Sequence, residues 1–249
     1  MTPKLPKPYY EQDGIVIFNA DCREILPELR GGVDCIFTSP PYNQNLTTQD
    51  KTMSLYADNM PPEEYKQMIR SVFDGAHTAL KEYGSFFYNY KSQVSSNILS
   101  PAHYHLIDVN TTFLVVGEIV WKYAGDFDSA KTRFHVDYEI IFHMAKSNKF
   151  KFKDNGRPLS GVWNIKHVMA NSFEKETCGN HPCPFPIALA SKAIQHTTDI
   201  GDTILDPFMG SGTTLVAAKQ LHRKAIGIEI EEKYCEIAVK RLGQGVLPL

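Results

Sequence analysis

The chain has 249 residues, enough to bury roughly 70–75% of its unfolded surface around one core, so a single domain over residues 1–249 is expected. Apolar residues make up 43% and charged residues 22%, with 16 Gly and 15 Pro, which excludes disordered, collagen-like and low-complexity chains. With 26 Lys+Arg against 28 Asp+Glu the formal net charge is −2. That excludes a protein held to nucleic acid by bulk charge, and leaves room for one that meets it through a local patch.

Residues 1–10 hold three prolines and two lysines with no apolar run, and no window approaches the roughly eighteen apolar residues of a membrane helix. A cytoplasmic protein without membrane contact is expected. The five cysteines, Cys22, Cys35, Cys178, Cys183 and Cys235, are odd in number and scattered, which reads as reduced thiols.

In chain order, Ile15 to Asn19 and Val33 to Phe37 are short β-branched or aromatic runs ending in polar or proline-rich turns, the pattern of buried parallel strands. Pro61-Pro62-Glu63-Glu64 opens a helix, followed at helical spacing by Tyr65, Met68, Ile69, Val72, Phe73, Ala76 and Leu80. Gly84 is expected to stop it, and Ser85 to Tyr90 reads as a strand. Further strands are expected at Phe113 to Trp121, Tyr138 to Met144, Thr203 to Leu205 and Ala225 to Ile230. Helices are expected at Pro186 to His196, Thr213 to Leu221 and Glu231 to Leu242. Alternating strands and helices predict an α/β fold with a mostly parallel sheet.

Between Lys146 and Lys166 lie six bases, including Lys149, Lys151, Lys153 and Arg157, against one acid, Asp154. Phe150, Phe152 and Trp163 are interleaved with them, which favours a nucleic-acid surface over a merely solvated loop.

Two motifs carry chemistry. Phe37-Thr38-Ser39-Pro40-Pro41-Tyr42 follows the carboxyl end of a predicted strand, where open α/β sheets build their sites. Its prolines stiffen the backbone and remove two N–H donors, so Ser39 Oγ and the Pro40 carbonyl can accept from an exocyclic amine while Tyr42 stacks on its ring. Thr203-Ile204-Leu205-Asp206-Pro207-Phe208-Met209-Gly210-Ser211-Gly212-Thr213-Thr214 reads as strand, glycine turn and helix start. Glu229 stands seventeen residues after Gly212, at the end of the next predicted strand, where an acid meets ribose hydroxyls in nucleoside-binding α/β units. No Lys follows the glycines, so this is not a P-loop.

Thr-Ser-Pro-Pro-Tyr with Asp-Pro-Phe-x-Gly-Ser-Gly-Thr-Thr resembles the amino-methyltransferases of DNA, which use S-adenosyl-L-methionine to methylate cytosine N4 or adenine N6. The Pro-Pro-Tyr element precedes the glycines, the permuted order of the family's β group. The resemblance covers almost the whole chain and implies a Rossmann-like methyltransferase fold. It also implies a cofactor site from Asp21, Cys22, Asp206, Phe208, Gly210, Gly212, Thr213 and Glu229, and a base site from Ser39, Pro40, Pro41 and Tyr42. Asn19-Ala20-Asp21-Cys22 looks like the acidic turn that meets the cofactor adenine, and His181-Pro182-Cys183-Pro184-Phe185-Pro186 like the segment before the glycine strand. Residues 146–180 take the place of a target-recognition insertion, which would put Lys149, Lys151, Lys153 and Arg157 on double-stranded DNA beside the Ser39 pocket. Serine at the first motif position goes mostly with cytosine N4 in that family, aspartate or asparagine with adenine N6.

The resemblance further implies direct transfer to a flipped base, a prokaryotic or phage-encoded protein, a companion restriction endonuclease and a homodimer. Other readings remain: a methyltransferase of RNA or protein glutamine, or a binding module without chemistry. Pro182-Cys183 could be the nucleophile of a carbon-5 methyltransferase, though chain order argues against it. Cys178, His181 and Cys183 lack the paired spacing of a structural zinc site, so no metal is expected. His135, Asp137 and Glu139 alternate and share one strand face, either bordering a DNA cleft or forming a hydrogen-bonded cluster.

Overall fold

The computed structural model describes residues 5–43, 59–123, 132–154, 156–168, 172–178 and 184–244. Strand β1 (Tyr10–Gln12) leads into β2 (Ile15–Asn19), a short helix α1 (Cys22–Ile25) with a 3-10 turn, and β3 (Val33–Thr38). Helix α2 (Pro62–Ala79), strand β4 (Leu80–Tyr90), the hairpin β5 (Gln93–Ser95) and β6 (Ile98–Ser100), and helix α3 (Ala102–Val109) follow. Then come β7 (Leu114–Lys122), β8 (Tyr138–Ala145), β9 (Val162–Asn164), α4 (Phe173–Thr177) and α5 (Ile187–Thr197). The chain closes with β10 (Thr203–Asp206), α6 (Thr213–Gln220), β11 (Lys224–Glu229) and α7 (Glu232–Gly243).

Among the described residues, nine strands form one sheet in the order β1-β2-β11-β10-β3-β4-β8-β7-β9. Only β1 and β8 run against the rest, so the expected mostly parallel α/β sheet is what forms. Strand order reverses between β10 and β3, the topological switch point whose carboxyl-end crevice accepts ligands in open α/β sheets.

Residue alternation along each strand feeds two cores. Ile36, Phe86 and Phe142 face one side with Ile69, Val72 and Phe73 of α2. Cys35, Phe37, Phe87 and Ile141 face the other with Leu189 and Ile194 of α5, Leu215 of α6 and Cys235 of α7. Helix α2 starts at proline with Glu63 and Glu64 in its first turn, but it ends at Ala79 and not at Gly84. The chain is extended from Leu80, and the pairing of β3 with β4 slips between Val33 and Cys35. Gly84 sits inside this irregularity, where a Cβ would stand 2.9 Å from the Asp34 carbonyl oxygen and 2.6 Å from Leu80 Cδ1. Glycine is needed there for room within a strand, not as a helix stop. Among the described residues no helix is long and apolar enough to cross a membrane.

Candidate active site

Both motifs lie at the carboxyl ends of neighbouring strands. Thr38 closes β3 and Asp206 closes β10, and Thr38 Oγ1 donates to Asp206 Oδ1 at 2.7 Å across the seam. Asp206 also accepts from Thr214 Oγ1 at 2.6 Å and from the Phe208 N–H at 3.1 Å. Fully buried, its carboxyl is pushed up to about 6 by desolvation, against the pull of those donors. With these bonds Asp206 braces the glycine turn to the end of β3.

That turn offers backbone. Gly212 has φ 81° and precedes the first residue of α6, and a Cβ on it would stand 2.8 Å from Ala238 Cβ, so only glycine fits. From below, buried Arg241 of α7 donates to the Ser211 carbonyl at 2.7 Å and to Thr213 Oγ1 at 3.1 Å. Phe208 is half-buried against the core. Glu229, closing β11, accepts from the Gly210 N–H and the Glu231 N–H, each at 2.9 Å. Burial raises its carboxyl to about 7. One backbone donor per oxygen leaves lone pairs for a diol. The turn after β2 lies alongside, because Asn19 Nδ2 donates to the Glu229 and Ile230 carbonyls at 3.0 Å. There Asp21 caps α1 and is gripped by Arg23, which holds its carboxyl below the usual range. Cys22 is buried, its thiol pushed up to about 12 by desolvation. The structure thus brings Asp21, Cys22, Gly210, Gly212, Thr213 and Glu229 to one edge.

Across the seam, Ser39 Oγ and Tyr42 Oη are 2.8 Å apart. The Pro41 carbonyl accepts from Tyr65 Oη and the Tyr42 carbonyl from Gln93 Nε2, each at 2.7 Å. The Tyr42 ring packs on Tyr90 at 4.9 Å, and its hydroxyl turns inward, so this residue does more than present a ring.

Two residues join that the motif did not contain. Asn89, near the end of β4, directs Nδ2 towards Ser39 Oγ at 3.4 Å, Tyr42 Oη at 3.0 Å and Glu139 Oε2 at 2.8 Å. Glu139, second in β8, also accepts from Tyr42 Oη at 3.2 Å. Asn89 was visible as the one amide in the apolar run Phe86 to Tyr90, and a polar residue in a buried strand is a signal for a site. Of His135, Asp137 and Glu139, expected to share one strand face, only Glu139 lies in β8, and it enters this cluster; Asp137 precedes the strand and pairs with Lys122.

The basic stretch goes elsewhere. Since β8 runs antiparallel, its end at Ala145 lies level with Ser85, where β4 aligns with the start of β3. Lys146 onward thus emerges at the opposite end of the sheet from Ser39, one strand length or roughly 15–20 Å away. Lys151 pairs with Asp199 and with Asp202, and Lys153 pairs with Asp199 and donates to the Thr198 carbonyl at 2.8 Å. Phe150 packs edge-on to His143, Phe152 stacks with His196, and Trp163 is buried beneath Lys192. Lys149 and Arg157 are exposed. Lys151 and Lys153 therefore tie the chain to the turn before β10, correcting the expectation of a basic island beside Ser39. Residues 181–183, with the Pro-Cys pair, lie outside the described residues.

Comparison with known proteins agrees with this geometry. The chain is 28% identical to the type II methyltransferase M.ScaI of Streptomyces caespitosus, over 96% of this chain and 84% of that protein. Its fold superposes on the PvuII DNA methyltransferase (cytosine-N4-specific) with a TM-score of 0.74 at 20% identity, covering 97% of both chains. It superposes on M1.HpyAVI, solved as a complex with SAM, with a TM-score of 0.64 at 26% identity, covering 91% of this chain and 98% of that one. The family model described as DNA methylase, that of the N6/N4 methyltransferases, matches residues 33–240. With both motif loops inside that span and hydrogen-bonded to each other, the chain belongs to the amino-methyltransferases of DNA.

Proposed function

We propose that this DNA methyltransferase transfers a methyl group from S-adenosyl-L-methionine to the exocyclic N4 of cytosine. The observation that carries the reading is the Thr38–Asp206 hydrogen bond, which fixes the Ser39 loop beside the glycine turn. The cradle suits the cofactor: the Gly210–Gly212 backbone permits close approach, and Glu229 keeps lone pairs for the ribose. Asp21 lies at the adenine end, and Thr213 opens the helix. When bound, the cofactor supplies an electrophilic methyl group on a positively charged sulfur.

The protein's part is positioning and electrostatics. A base in a duplex cannot reach this edge, so it flips out, at a cost of a few kcal/mol. Ser39 Oγ and the Pro40 carbonyl accept from its amino group and draw the nitrogen towards tetrahedral geometry, while Pro41 keeps the loop rigid. Ser39 at the first motif position supports cytosine over adenine. A bacterial cytoplasmic setting, a partner endonuclease and a homodimer fit the type II relatives.

The test is transfer of tritiated methyl groups to unmethylated duplex DNA, RNA and bulk protein, with nucleoside analysis of the product. N4-methylcytosine is expected; N6-methyladenine would replace the base assignment and leave the rest, and label in RNA or protein alone would overturn the reading.

A further inference from the structure

Methylating an amine releases a proton, and the residues assigned so far give it no destination. We propose that Glu139 receives that proton through the hydroxyls of Ser39 and Tyr42, as a positioning residue that never touches the base. The inference rests on the reading that Ser39 holds the target amine.

Geometry carries it. Ser39 Oγ, Tyr42 Oη and Glu139 Oε2 form a continuous chain of 2.8 Å and 3.2 Å. Asn89 Nδ2 lies within hydrogen-bond distance of all three oxygens and holds them together, while its buried Oδ1 has no partner among the described residues. The cluster is therefore complete on its carboxylate side and open on one acceptor, as a site awaiting an amine would be. A purely structural cluster of this burial would satisfy that oxygen too. Glu139 is 8% exposed. The groups facing it are Tyr42 from the motif loop, Asn89 and the positive charge of Lys91 from the end of β4, and Tyr123 from the end of β7, whose buried hydroxyl also lacks a partner. Burial raises the Glu139 carboxyl, opposed by Asn89, Lys91 and Tyr42, which makes it a better proton acceptor than an exposed glutamate.

The step balances. The nitrogen lone pair forms the N–C bond as the C–S bond breaks with its electron pair going to sulfur. The nitrogen, now positively charged, gives one proton to Ser39 Oγ; the Ser39 proton passes to Tyr42 Oη, and the Tyr42 proton to the carboxylate. The products are a secondary amine, a neutral thioether and a protonated Glu139, which returns its proton to water when the site empties.

The experiment measures single-turnover methylation of unmethylated genomic DNA by the full chain from pH 5 to 9, for wild type, Glu139→Gln and Glu139→Asp. The wild-type rate should fall on the acid side with a one-proton slope. Glu139→Gln should be slower by about 10²-fold and lose that limb, with cofactor affinity within twofold of wild type; Glu139→Asp should restore part of both. In the ligand-free protein, infrared difference spectra over the same range should show a buried carboxylic acid band that Glu139→Gln lacks. An acid limb of wild-type shape in Glu139→Gln, a rate within threefold of wild type, or no missing band would overturn the proposal. Should that variant fail to fold, Tyr42→Phe cuts the same chain, and an intact acid limb there overturns it equally. A wild type that places no methyl group on any DNA amine overturns the underlying reading as well, which separates the two failures.

Discussion

The two ends of the parallel sheet treat charge in opposite ways. At the amino ends of the strands carboxylates meet lysines: Asp34 with Lys81, Asp202 with Lys151, and Asp199 with both Lys151 and Lys153. These pairs hold the Asp199 carboxyl down to about 2. At the carboxyl ends Asp206 and Glu139 are buried and Glu229 is half-buried, none with a cation in hydrogen-bond contact, and desolvation raises all three; two ion pairs also lie at this end, Asp21 with Arg23 and Asp137 with Lys122. Charge at the first end is settled in ion pairs, whereas at the second three carboxyl groups that desolvation raises stand without a cation beside them. Proximity of basic residues in the sequence says nothing about which end they occupy.

Substitutions at each end should break this contrast in different assays. The largest effect is expected from Ser39→Ala, a loss of roughly 10²-fold in turnover with equilibrium cofactor binding unchanged; a rate equal to wild type would remove Ser39 from the site. Glu229→Ala should weaken cofactor binding by roughly 10- to 100-fold, the range for losing hydrogen bonds to a charged group, and titration calorimetry reads it directly.

Stability against pH sharpens the comparison. Asp206 and Glu229, at about 6 and about 7 when folded, stand above unfolded values near ~4. A raised carboxyl binds its proton more tightly in the folded state, so its contribution is full below about pH 4 and is lost as pH rises towards 7. Urea denaturation of the ligand-free protein should show that decline, on the order of 3 kcal/mol per group. Asp206→Asn and Glu229→Gln should each flatten it. The smallest effect belongs to the other end. Lys151→Ala with Lys153→Ala should lower Tm by roughly 1–3 °C and leave the salt dependence of DNA binding as it was; a flatter salt slope would return these lysines to the DNA.

Much of this was legible in the residues. Strands β2, β3, β10 and β11 and helices α2, α5, α6 and α7 follow from apolar spacing and proline or glycine punctuation, and both motifs announce themselves by composition. The hairpin β5–β6, helix α3 and strand β9 were not expected, because each is short and draws its shape from its neighbours. The placement of Lys151 and Lys153 escaped for a topological reason: Tyr138 to Met144 reads as a strand, yet nothing in its residues declares that it runs backwards. Glu139 and Asn89 needed the pairing of β4 with β8, since 50 residues separate them in the chain.

The Thr38–Asp206 bond joins residues 168 positions apart. During synthesis the Ser39 loop is made well before the strand that fixes it against the glycine turn and the helix whose Arg241 braces that turn. Contacts this distant in sequence form late and at a high entropic cost. The two halves of the pocket are thus joined only once residues far apart in the chain have met, so a folding intermediate lacking the β3–β10 pairing would hold half a pocket.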